Sequence, residues 1–217
     1  MFTLVLLAAV AGCDALGFGS WSWTQRLVLE VETPEGVKSG GSVIAVNAER
    51  GPKWLPGEGR GGMGTRVKGE AAVVEIAPGK YLFALIDGND EAELALVLFF
   101  PDPAPNTFER ARQLETLRGT RLVPRDRYPL LVTFDDIADP TTVRRVDPGN
   151  LAATFGPGVS LRRITLEITD DKVTNGEAGS LLAWLGQHPE PKLGPATGTT
   201  TNIPFYRTVS HGHFKRH

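Results

Sequence analysis

Glycine and proline interrupt this chain at about one position in five, 25 Gly and 16 Pro in 217 residues, well above the roughly 12% of average usage. Glycine costs a helix interior about 1 kcal/mol relative to alanine and proline about 3. A chain cut this often cannot sustain long helices, so bundles and coiled coils are excluded. What remains is short elements joined by turns, and the segments between interruptions decide which kind. The stretch 25–32, QRLVLEVE, sets Leu27, Leu29 and Val31 on one side and Arg26, Glu30 and Glu32 largely on the other, the period of a half-buried strand. Thr33-Pro34-Glu35-Gly36 then reverses the chain, because proline presets one turn position and glycine accepts positive φ. The next strand is expected over 42–47 (SVIAVN), and 66–76 and 81–86 flank Pro78-Gly79 as a tight hairpin.

Further along, the signals mix. Segment 87–100 has Asn89 or Asp90 as a possible helix cap, Glu91 and Glu93 in a first turn, then an apolar run that suits a helix or a buried strand. Asn106 with Glu109 three residues on forms a capping box, with Phe108, Ala111, Leu114 and Leu117 on one face of a short helix ending at Gly119. The runs 128–134 and 160–169 read as strands, 151–155 and 180–185 as short helices, the latter carrying Trp184. The expected fold is therefore mainly β or α+β: an antiparallel, sandwich-like amino-terminal half over 25–100 and an α+β region over 106–186 with short helices. Residues 187–217 read as a Pro/Gly/Thr-rich tail.

Composition bounds function more by exclusion. Hydrophobic residues make up 41% and charged residues 22%, enough for a real core. The net charge of −2 leaves no field to hold nucleic acid or an anionic membrane. The amino terminus carries more information. Phe2 to Ala11, FTLVLLAAVA, is too short to span a bilayer, which takes about 20 apolar residues, and is the length of a signal-peptide core. It ends at Val10-Ala11-Gly12-Cys13, which looks like the lipobox of bacterial lipoproteins, where the cysteine is acylated and becomes the new amino terminus. Cys13 is the single cysteine, so no internal disulfide competes for it. On this reading 1–12 is a signal peptide, 13–24 a tether, and Cys13 the lipid attachment site that supplies all membrane affinity. Asp14 resembles an inner-membrane retention signal. The alternatives are another export signal, which makes the protein secreted, an uncleaved anchor, against which Asp14 counts, and a core strand with an inert thiol at Cys13, in which case the protein is cytoplasmic. Trp21 and Trp23 either rest at the membrane interface or begin the fold.

The short signal ending in cysteine, the run WTQRLVLEVETPEG, the pair GEAAVVEI and KYLFAL, and LVTFDDIADPTTVRRVDPGNLAATFGPGVSLRRITLEITDD together resemble an uncharacterised family of bacterial exported, lipoprotein-like envelope proteins. The resemblance covers most of the chain apart from the Gly-rich loop at 50–65. It implies an exported location, facing the periplasm from a membrane anchor, and carries no catalytic residues with it.

Residue chemistry adds two candidates. Asp135, Asp136 and Asp139 stand within five residues at a strand end, as hard-cation ligands do, although the DDIADP run lacks the glycine and distal glutamate of a calcium loop. His211, His213 and His217 lie in HGHFKRH, spaced for Zn²⁺ or Cu²⁺ but beside Lys215 and Arg216, which repel a cation, so an exposed polar tail is expected there. Gly59 to Gly64, GRGGMG, follows no phosphate-loop pattern. No cofactor is expected. Two function classes follow: a non-enzymatic envelope lipoprotein that binds or scaffolds, with an envelope protein as a possible partner, or a metal-binding protein or metal-dependent hydrolase using the aspartates and carboxy-terminal histidines.

Overall fold

The computed structural model describes residues 19–51, 61–102, 106–194 and 209–217. Cys13 and the apolar run before it lie outside the described residues, as does 52–60 of the Gly-rich loop. Among the described residues, ten strands form two antiparallel sheets with four short helices. The larger sheet has six strands in the order β10 (Lys215–Arg216), β3 (Met63–Glu70), β2 (Gly36–Arg50), β1 (Gly19–Thr33), β9 (Ser160–Thr169) and β6 (Gly119–Leu122). The smaller has β4 (Ala72–Ala77), β5 (Lys80–Ala84), β7 (Leu131–Phe134) and β8 (Val143–Arg145). The helices are α1 (Gly88–Phe99), α2 (Thr107–Thr116), α3 (Ala152–Phe155) and α4 (Glu177–Leu181).

The hairpin read around Pro34-Glu35 joins Thr33 to Gly36, and its arms run to 15 residues each, so that Gly19 pairs with Arg50. Residues 19–24, expected in the tether, are the start of β1. The reason is alternation that begins earlier than the aliphatic run: Trp21, Trp23, Gln25, Leu27, Leu29 and Val31 share the inward phase, and both tryptophans are buried. The stretch 66–76, expected as one strand, is two. β3 ends at Glu70 in the large sheet, the Ala71 amide bonds the Phe214 carbonyl, and β4 begins at Ala72 in the small one.

The main core lies between the sheets, with Leu29, Val31, Val46, Ile164 and Leu166 facing Val74, Leu82, Ala84 and Leu131, and is closed at one end by Ala95, Phe99, Ala111 and Leu114 of α1 and α2. In α1 the helical reading prevails over the buried strand. Its amino-terminal boundary is Asp87, whose amide donates to the Glu91 carboxylate, rather than Asn89 or Asp90. The small sheet is buried on its other face too. There Phe83, Val132 and Val143 pack beneath Leu182, Trp184, Val209 and Phe214. Strands of small sheets are usually wet on one side; this one is dry on both because the carboxy-terminal segment covers it. The expectation of an exposed polar tail is thereby corrected for 209–216, while His217 stays exposed: Phe214 is fully buried against Phe83, Phe134 and Trp184, and His211 is buried beside it.

The sheets approach most tightly where β2 crosses β4. A Cβ on Gly40 would run into the Val73 carbonyl and the Val74 backbone, and backbone cannot step aside as a side chain can. Gly40→Ala is expected to destabilise the protein by about 3 kcal/mol, the upper end of overpacking costs, measured as a fall in the urea midpoint.

Candidate functional site

A cleft of about 390 Å³ opens at the head of α1. Asp87, Asp90, Glu91, Glu93 and Leu94 form one wall, residues 126–130 the other, and Leu85 and His213 close it. Five carboxyl groups thus face one guanidinium, Arg127, which is paired to Glu93 at 3.3 Å, and one imidazole. Acidic side chains suit the first turn of a helix, where the dipole is positive, so local chemistry alone concentrates this charge.

Glu91 stands apart within the cluster. Its Oε1 accepts from the Asp87 amide at 2.9 Å, while its Oε2 is shut from solvent with no hydrogen-bond partner. Burial pushes this carboxyl up to about 8, against the opposing pull of the Asp87 amide hydrogen bond. Behind it lies a second cavity of about 30 Å³, lined in part by Gln25, Ser42, Glu70 and Glu91, large enough for a water. A relay of donors fixes the site to the core: Trp23 Nε1 donates to Gln25 Oε1 at 2.9 Å, and Gln25 Nε2 donates to the Glu91 carbonyl at 3.1 Å. On the same small cavity Glu70, 1% exposed, meets the opposite fate. Burial alone would raise its carboxyl, but the amides of Gly176 and Ala178, at 2.8 and 3.0 Å, and the Lys215 ammonium at 3.0 Å hold it below the ordinary value.

His213 enters the cleft through a short turn, His211–His213, in which the Ser210 amide donates to its Nδ1 at 2.9 Å. A neutral ring therefore carries its proton on Nε2. His211 points elsewhere: it is buried beside Trp184 and its Nε2 lies 2.8 Å from the Pro191 carbonyl. The aspartate candidates serve the β7–β8 turn. Asp135 pairs with Arg144 at 2.6 Å, Asp136 accepts from the Ala138 amide at 2.9 Å, and Asp139 caps Thr141, whose hydroxyl and amide hold its carboxyl low. They do not meet the histidines, and no group of three or more His, Cys, Asp or Glu able to hold a metal occurs among the described residues. Among those residues, too, no helix is long and apolar enough to cross a membrane.

In the sequence Glu91 stands out only as a first-turn acid, and Gln25 belongs to no functional motif. The available signal was Gln25 itself, a polar residue in the inward phase of β1, which had to find partners inside the sandwich. Comparison with protein-family models, curated proteins and solved structures returns no match.

Between pH 4.5 and about 8 the folded chain keeps a proton on Glu91 that the unfolded chain has lost. Stability therefore falls as pH rises through that window, by at most about 1.4 kcal/mol per pH unit. Glu70 acts in the other direction, its contribution being lost as pH drops below 4.5. Calorimetry of the wild type is expected to show Tm declining between pH 5 and pH 8, and Glu91→Gln is expected to flatten that decline and to leave the acid-side fall in place.

Proposed function

We propose that this protein is a non-enzymatic binding protein of the bacterial envelope, lipid-anchored through Cys13, and that the cleft at the head of α1 takes a small amine-bearing ligand. The observation that carries the ligand reading is the shielded, unpartnered Oε2 of Glu91 in a cleft whose volume falls in the range of small-molecule sites. An ammonium donor there would give Glu91 the partner it lacks and favour its ionised form. The surrounding carboxylates select for positive charge, and His213 and Tyr128 shape the mouth. Anchoring rests on the Val10-Ala11-Gly12-Cys13 sequence and on the family resemblance. Gly19, where β1 begins, follows Cys13 by six residues, a reach of at most about 22 Å, so an acyl chain on Cys13 would hold the folded part close to the bilayer. The metal-dependent alternative has no support in the geometry of the aspartates and histidines.

Two experiments separate these elements. Calorimetric titration with 1,4-diaminobutane is expected to show binding that tightens from pH 6 to pH 8, with proton release. Glu91→Gln should weaken it about tenfold, the scale of one charge-assisted hydrogen bond, and remove the pH dependence. Equal binding of 1,4-butanediol would overturn the ligand reading. For the anchor, mass spectrometry of membrane-extracted protein is expected to find acylated Cys13 as the first residue, and Cys13→Ser should leave the membrane fraction. A wild-type chain that retains Met1 would refute the anchor.

A further inference from the structure

The six-stranded sheet ends at β6, and among the described residues no strand lies beyond it. In an antiparallel ladder, successive residues turn their backbone N–H and C=O groups alternately toward the neighbouring strand and away from it. The Val123 amide donates to the Ile164 carbonyl at 2.9 Å and Arg121 stands opposite Leu166, so Gly119, Arg121 and Val123 are the residues bonded to β9. Thr120 and Leu122 therefore turn their backbone groups outward. The Thr120 carbonyl accepts from the Arg121 guanidinium at 3.1 Å, while the Thr120 amide and both backbone groups of Leu122 have no hydrogen-bond partner among the described residues. Thr120, Arg121 and Leu122 are all exposed, so the edge is accessible.

Two features set what this edge accepts. Leu122, 62% exposed, is one of two large hydrophobic side chains left in solvent among the described residues. It stands opposite Thr165 on the outer face of the sheet and borders an open groove of about 590 Å³ lined in part by Pro124, Arg125, Tyr128, Arg162 and Arg163. No carboxylate among the described residues lines that groove. A bulge in β9 leaves Arg162 without a partner residue in β1 and lets it reach toward the same carboxylate as Arg163, that of Glu30. Arg163 holds Glu30 at 2.7 Å and Arg162 comes no closer than 3.9 Å, so one acid serves two guanidinium groups. Arg125 has no ion pair among the described residues. Of the neighbouring acids, Glu167 pairs with Arg26 at 3.2 Å and Asp126 lines the acidic cleft. Open edges template pairing with other chains unless something discriminates among them. A second copy of this chain would bring its own arginines against these, so the surplus positive charge disfavours self-pairing and favours an acidic partner.

We propose that the β6 edge docks an extended, acidic segment of a partner protein as an added strand of the large sheet. Main-chain pairing with Thr120 and Leu122 supplies affinity, and side chains supply specificity: an apolar residue packs on Leu122, and acidic residues meet Arg125 and Arg162. The surface shares only Tyr128 with the amine cleft and stands whether or not that cleft binds an amine.

The test titrates the acetylated, amidated peptide Glu-Glu-Thr-Val-Thr-Val-Thr-Glu-Glu into the full chain carrying Cys13→Ser, followed by amide resonances and hydrogen exchange. Saturable shifts centred on 119–125 and 162–165 are expected. Exchange of the Leu122 amide, which no hydrogen bond protects in the free protein, should slow on binding. The same peptide with lysine in place of glutamate should bind about tenfold more weakly. A glutamate peptide N-methylated throughout its central Thr-Val-Thr-Val-Thr run, which has no N–H groups there to donate, should not bind. Arg125→Glu alters an exposed side chain and should weaken the glutamate peptide about tenfold with the fold kept. Equal affinity for the lysine peptide, binding of the methylated one, unchanged Leu122 exchange, unchanged binding in Arg125→Glu, or no binding of the glutamate peptide overturns the proposal. So does concentration-dependent self-pairing at β6 without peptide, which assigns the edge to a second copy of this chain.

Discussion

A buried carboxylate must be surrounded by donors or it does not stay charged, and the placement of Glu70 makes that requirement organise the whole chain. Glu70 is the last residue of β3, where the backbone leaves the large sheet for the small one. Its donors come from two distant segments, the amino terminus of α4 and β10. Its own carbonyl accepts from the Ser42 hydroxyl at 2.6 Å, which adds β2. Four parts of the molecule thus meet at one residue. The crossing between the sheets is set here, and so is the position of the carboxy-terminal segment that roofs the small sheet.

Glu70 and Glu91 show burial and hydrogen-bond donors pulling a carboxyl in opposite directions. The two line one small cavity. Glu70 receives two backbone amides and an ammonium and lies low, whereas Glu91 receives one amide, keeps an empty Oε2, and lies near 8. Native interiors rarely leave a polar atom unmatched. Glu91 Oε2 is one of the few such atoms here, and its residue also lines the cleft at the head of α1.

The regular elements were legible in the sequence wherever a periodic pattern met a turn signal. β9 spans the expected 160–169, the Pro78-Gly79 hairpin connects β4 to β5, and Asn106 caps α2 by accepting from the amides of Phe108 and Glu109. What escaped were long-range effects. Nothing local says that 66–76 breaks at Ala71, since both halves alternate well; the break follows from Glu70 and from the Ala71 amide finding the Phe214 carbonyl. The run HGHFKRH reads as polar because five of its seven residues are charged or histidine, yet one phenylalanine with a waiting pocket outweighs them. The acidic cleft was visible as letters, but its opposite wall, 126–130, comes from another part of the chain, and no spacing rule reveals such a meeting.

The roof over the small sheet also bears on the order in which this molecule becomes complete. Phe83 and Val132 occupy the middle of the chain, while Val209 and Phe214, which cover them, come more than 75 residues after Val132. A chain that emerges from a ribosome or a translocation pore amino terminus first exposes that aromatic face until the closing segment arrives. During that interval the small sheet is an open apolar surface. The protein therefore depends on whatever shields nascent chains in its compartment for longer than a sandwich closed by its own neighbouring strands would.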